Sequence, residues 1–135
     1  MLHEEITDKI IGAFYKVYNE LGYGFLEKVY ENALIIELKK LDFNISQQQN
    51  IKVYYDKQIV GEYFADLLVD DLVILELKAA ECLVKENKAQ LINYLKATDK
   101  EVGLLLNFEK KPEFERVIFT KDRKVAHGYN RLARI

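Results

Sequence analysis

Two strand-length apolar runs carry charge inside them. Asp66 lies in Tyr63-Phe64-Ala65-Asp66-Leu67-Leu68-Val69, and Glu76 and Lys78 lie in Leu72-Val73-Ile74-Leu75-Glu76-Leu77-Lys78. A charge placed among Leu, Ile and Val is costly unless it is paired or bound to a metal. This pattern constrains the fold more than any other in the chain. It calls for a sheet whose apolar strands lead their charged residues to one place.

The register decides whether they meet. Side chains alternate faces along a strand, so Glu76 and Lys78 share one face, and Val73, Leu75 and Leu77 share the other. A two-residue turn at Asp70-Asp71 would set Leu75 opposite Asp66. A three-residue loop, Asp70-Asp71-Leu72, or a bulge sets Glu76 there instead. The second register is expected, because the first leaves the acids on different sides. Two adjacent carboxylates repel, and one gains a proton unless a cation lies between them. Mg²⁺ is a hard, oxygen-seeking cation suited to such a pair, and an ammonium beside it can stabilise charge on a phosphate. The plainer reading is an Asp/Glu/Lys network on an exposed sheet face. Glu-x-Lys alone decides nothing, since it also occurs at Glu37-Leu38-Lys39, Glu86-Asn87-Lys88 and Glu109-Lys110-Lys111.

Around these strands the periodicity predicts an α/β domain. Ile6, Ile10, Ile11, Phe14, Val17, Tyr18 and Leu21 recur at helical spacing over residues 5–21, with Thr7 or Asp8 as cap and Gly22-Tyr23-Gly24 as terminator. A second helix is expected over 26–41, ended by Leu41-Asp42-Phe43-Asn44. Ile51, Val53 and Tyr55 alternate as a strand, Asp56-Lys57-Gln58 reads as a turn, and residues 59–69 and 72–78 read as two further strands. Helix returns over 85–97, Val102–Phe108 reads as a central strand buried on both faces, and Glu115–Thr120 as the last strand. The expected order is ααβββαβ, with room for one more strand, in a mixed sheet flanked by helices.

The 135 residues suit one domain spanning 1–135, with 50% hydrophobic and 31% charged residues, as in a soluble globular protein. The single cysteine, Cys82, excludes an internal disulfide and a multi-cysteine metal site. The acidic start lacks a signal pattern and no apolar run reaches a membrane span, so a cytoplasmic protein with no membrane partner is expected. The net charge of -2 splits into +4 over residues 109–135 and -6 over 1–108. The basic end reads either as a solvated surface or as a polyanion-facing side, with Arg123, Lys124, Arg131 and Arg134 as phosphate contacts. His127 lies in that segment and His3 near the other terminus, and neither is expected to ligate a metal.

The charged strands, taken with Gly24-Phe25-Leu26-Glu27-Lys28-Val29-Tyr30 before them and Gln90-Leu91-Ile92-Asn93-Tyr94 after them, resemble the PD-(D/E)xK nuclease superfamily, and within it the GxxExxY proteins. The resemblance runs from about residue 6 to residue 120, and Ala65 stands where the superfamily's name has proline. It implies a restriction-endonuclease-like core. It implies Asp66, Glu76 and Lys78 as catalytic residues. The metal ligands would be Asp66, Glu76, the Leu77 carbonyl and Glu27, holding Mg²⁺ or Mn²⁺. Gln90 and Tyr94 would meet the substrate backbone or Lys78. From the residues alone, Glu27 also serves the helix dipole, Tyr30 also fits core packing, and Gln90 and Tyr94 also fit an ordinary helix pair. The implied function is hydrolysis of phosphodiester bonds, in DNA before RNA, with target recognition by loops, a homodimer or a partner protein. The alternative is a nucleic-acid-binding or protein-assembly module with a nuclease-like fold and no turnover.

Overall fold

The computed structural model describes residues 1–127 and 133–134, with the backbone alone for 125–127 and 133–134. The amphipathic first segment forms helix α1 over Glu4–Leu21 and buries Ile10, Ala13, Phe14 and Val17. Its start differs from the expected cap. His3, in the left-handed conformation, precedes the helix, while Thr7 is buried in the first turns and donates its hydroxyl to the Glu4 carbonyl at 3.1 Å. A threonine so placed satisfies its own hydroxyl on the preceding turn and leaves no cap to offer. At the other end Gly22, at φ 68°, donates its N–H to the Tyr18 carbonyl at 2.7 Å.

Helix α2 covers Glu27–Lys40. It closes in a Schellman arrangement: Asp42, at φ 66°, donates to Lys39 O, and Phe43 donates to Leu38 O. Aspartate here takes the place more often held by glycine. The strands follow as β1 (Ile45–Tyr55), β2 (Gln58–Val69) and β3 (Val73–Lys78). Asp56 and Lys57 both have positive φ between Tyr55 and Gln58, which face each other, so the first hairpin turns in two residues.

The second hairpin takes the longer course. Asp70 and Asp71 also have positive φ, and Leu72 N–H closes the turn on Val69 O at 2.9 Å. Yet Val69 faces Val73, Leu68 faces Ile74 and Leu67 faces Leu75, so Leu72 is an extra residue beside the turn. This is the offset that aligns Asp66 with Glu76.

A crossover through α3 (Lys85–Lys96) brings β4 (Val102–Asn107) parallel to β3. All six β4 residues are buried, as a central strand requires. Helix α3 packs hard on it: a Cβ on Gly103 would fall 2.7 Å from the Leu91 side chain. Strand β5 (Glu113–Ile118) pairs antiparallel with β4. Beyond the expected elements lie a short helix α4 (Lys121–His127) and a two-residue strand β6 (Ala133–Arg134), which pairs with β1. The sheet order is β5-β4-β3-β2-β1-β6, with β3 and β4 parallel and the other neighbours antiparallel.

Two apolar layers hold this sheet. Phe14, Tyr30, Leu34, Leu38, Leu67, Leu75, Leu77 and Phe108 pack among α1, α2 and one face. Ile51, Ala65, Leu68, Ile74, Leu91, Leu95 and Leu105 pack under α3 on the other. Each leucine so buried contributes roughly 1.5–3 kcal/mol. Among the described residues, no helix is long and apolar enough to cross a membrane.

Candidate active site

Along β2 the packing changes sides at Asp66. Ala65 belongs to the α3 layer, Leu67 to the α1–α2 layer and Leu68 again to the α3 layer. Across from this point Gln48 of β1 has φ 48°, and the ladder skips it. On the other side the β2–β3 ladder ends at Leu67 and Leu75. Beyond it, the carboxylates of the two strands replace ladder acceptors. Asp66 N–H donates to Glu76 Oε1 at 3.2 Å, and Leu77 N–H donates to Asp66 Oδ2 at 2.8 Å. Each acid thus accepts a backbone donor from the opposite strand, and the two carboxyl groups are held together where the hairpin opens.

Glu76 is almost wholly buried. Burial, and then the Asp66 charge, push its carboxyl up to about 8, while the bond from Asp66 N–H and the charge of Lys78 act in the other direction. Lys78 follows on the same strand, half-buried and opposite Asn107 of β4. Its ammonium has no ion pair within 4 Å among the described residues. Its backbone is fixed: Lys78 O accepts from Phe108 N–H at 2.9 Å. Just beyond, the buried Asn107 amide accepts from Ala80 N–H at 3.0 Å and donates to Ala80 O at 2.9 Å. This clamp holds the chain as it leaves β3. An asparagine inside the run Val102–Phe108 was its visible signal in the sequence.

Gln90 and Tyr94 share one face of α3, and Gln90 Nε2 donates to the Tyr94 hydroxyl at 2.8 Å. Burial and then the charges of Glu76 and Asp66 raise the Tyr94 phenol to about 12, which places this ring within the field of the acid pair. Tyr63 of β2 meets Tyr94 with ring centroids 5.7 Å apart.

The naming motif on α2 divides differently from expectation. Gly24 has φ 106°, and the Tyr30 hydroxyl donates to Gly22 O at 2.7 Å and accepts from Phe25 N–H at 3.2 Å. The ring of Tyr30 stacks on Phe108 at 4.4 Å. Two of the three motif residues therefore hold the turn between the helices. Glu27 is exposed in the first turn of α2, where a negative charge suits the helix dipole. Among the described residues no group of three or more His, Cys, Asp or Glu side chains is arranged to hold a metal. Glu27, expected as a further ligand, lies at the start of α2, while Asp66 and Glu76 lie on β2 and β3. One turn further on, Glu31 is buried and bonded to Gln47 Nε2 of β1 at 3.1 Å and Lys28 Nζ at 2.8 Å.

The basic end is also corrected. Lys124 is no phosphate contact: it is buried, and its ammonium donates to Thr98 O at 2.8 Å and to Lys100 O. Arg123 is exposed and lies over the Phe119 ring at 4.6 Å. Arg131 and the side chains of His127 and Arg134 fall outside the described residues.

Residues 4–117 match the family model of the PD-(D/E)XK nuclease superfamily. No curated protein matches the chain. Among solved structures, the crystal structure of SSO0001 is similar at 14% identity and a TM-score of 0.48, over 94% of this chain and 64% of that one. The family match spans most of the sequence, including both charged strands and the acid pair they bring together. The chain belongs to the PD-(D/E)XK nuclease superfamily.

Proposed function

We propose that the protein is a metal-dependent nuclease that hydrolyses phosphodiester bonds in DNA, working in the cytoplasm as one nuclease-like domain. The observation that carries this reading is the pairing of Asp66 with Glu76, whose carboxyl is pushed up to about 8 by burial and by its neighbour. A divalent cation between two such carboxylates relieves their repulsion. The pair's donor chemistry fits Mg²⁺ or Mn²⁺, because two carboxyl groups, each held by one backbone N–H, offer hard oxygen ligands side by side. Asp66 and Glu76, with the Leu77 carbonyl, would hold the ion. When bound, it supplies Lewis-acid activation of the scissile phosphate and of the attacking water.

The chain's own residues do the rest. Lys78 places a positive charge next to the acids, where negative charge grows on phosphorus in the transition state. Asn107 positions it by fixing the backbone at Ala80, two residues beyond Lys78. Gln90 and Tyr94 line the approach from α3 and meet the substrate. Within the superfamily we assign the chain to the GxxExxY proteins, on Gly24 and Tyr30, whose joint role in the turn gives that spacing a physical cause.

The test is cleavage of plasmid and oligonucleotide DNA with Mg²⁺ or Mn²⁺ by the wild type, Asp66→Ala and Lys78→Ala. Cleavage by the wild type alone supports the assignment. Equal cleavage by all three removes these residues from catalysis. Salt-sensitive DNA binding without cleavage, unchanged in Asp66→Ala, would make the protein a binding module instead.

A further inference from the structure

Between α3 and β2, at Tyr63 three residues before Asp66, lies a cleft of about 340 Å³. It is lined by Tyr63, Tyr94, Asn87, Gln90, Asn93 and Glu86. Tyr63 stays 45% exposed, with its ring set against Tyr94 at 5.7 Å and 48°. The cleft combines an open aromatic surface with three amide side chains. Among the described residues no lysine or arginine lines it, and Glu86 gives it a negative charge.

Those features select for a class of group. A phosphate would meet a carboxylate and no cation. A neutral, flat, heteroaromatic group would meet a ring to stack on and amides that both donate and accept. We propose that this cleft receives an unpaired nucleobase, stacked on Tyr63 and hydrogen-bonded by Asn87, Gln90 or Asn93, while the adjoining phosphate lies at the acid pair. This rests on the nuclease reading and deepens it. A base inside a duplex must first be unstacked and unpaired, at a cost of about a few kcal/mol, so single-stranded DNA or a frayed end is the favoured substrate.

The sequence concealed this subsite for a simple reason. Tyr63 opens a continuous apolar run, and nothing in that pattern marks it for solvent. Strand β2, however, runs from Gln58, while β3 pairs with it only from Leu67 onward. The outer part of β2 is left beside α3 with no strand on that edge, and its aromatic ring is half open.

Fluorescence anisotropy in EDTA separates binding from turnover. The probes are a labelled single-stranded DNA oligonucleotide, the same strand with abasic sites, and the duplex. The wild type is expected to prefer the intact single strand over both others. Tyr63→Ala should weaken that binding about 5- to 100-fold, the range for loss of one base–aromatic stack, and Tyr63→Phe should retain it. Equal affinity for intact and abasic strands, preference for duplex, or absence of single-strand binding would overturn the proposal. The wild-type comparison holds even where Tyr63→Ala fails to fold. Cleavage of abasic or duplex DNA with Mn²⁺ would leave the nuclease reading standing while this subsite falls. Base-dependent binding with no cleavage in Mg²⁺ or Mn²⁺ would do the reverse.

Discussion

Asp66 and Glu76 are tied across the opening of the β2–β3 hairpin, with Asp66 N–H donating to Glu76 Oε1 at 3.2 Å. Asp66 in turn accepts from Leu77 N–H at 2.8 Å. Each acid therefore holds one backbone donor of the opposite strand, and the charge on Asp66 adds to burial in raising the proton affinity of Glu76. Replacing Asp66 by asparagine keeps the side-chain acceptor and removes the charge. The Glu76 carboxyl should then titrate below its present value of about 8, though still above the usual carboxylate range because burial is the larger cause. Carbon-detected NMR of the Glu76 carboxyl measures this, and an unmoved titration would disprove the coupling.

The pH dependence of stability follows from the same group. Glu76 binds its proton more tightly folded than unfolded, so between about 4.5 and 8 the folded state holds more protons. Stability without metal should fall as pH rises across that window. Glu76→Gln should flatten this fall. A divalent cation competes with the proton, so its affinity should rise with pH up to about 8. Thermal melts at several pH values, with and without Mg²⁺, check both trends.

Lys78→Ala should reduce cleavage by ~10²-fold or more, the usual cost of deleting a charge that stabilises a transition state. Its folding should change little, since the ammonium has no ion pair among the described residues. A loss of activity matched by a loss of native circular dichroism would count against a catalytic role.

Lys124 anchors α4 by donating to the carbonyls of Thr98 and Lys100. Burial lowers its pKa to about 8, so above that pH the folded side chain is neutral while the unfolded one stays charged up to about 10.5. Its contribution therefore makes stability rise with pH between these values. Lys124→Met should abolish that rise and leave two carbonyls without a donor, at a cost of about 1–3 kcal/mol. Urea denaturation at pH 7 and pH 9.5 reads both effects.

Tyr30→Phe removes the hydroxyl that joins Gly22 O to Phe25 N–H while keeping the stack on Phe108. A loss of about 1–3 kcal/mol is expected, because buried partners are left unpaired. DNA cleavage per folded molecule should be unchanged, which distinguishes this tyrosine from Tyr94, proposed above to meet the substrate.

Local pattern by itself determined α1 to α3, the strands β2 to β5 and the hairpin register, but not the first half of β1, nor α4 or β6. Helical spacing from Ile6 to Leu21 and alternation through the charged strands need only neighbours along the chain. The demand that two costly acids share a face selected the register in which Leu67 faces Leu75. What depends on distant partners was decided by tertiary structure. Thr7 has the chemistry of a helix cap, but its hydroxyl found Glu4 O one turn back. Lys124 looked like a solvated charge until α4 folded it onto two loop carbonyls. Glu27 and Glu31 lie one helical turn apart, and only the packing of α2 on the sheet buries the second and exposes the first. A charge pattern states which residues are costly to bury, and the path of the chain in space decides which of them are brought together.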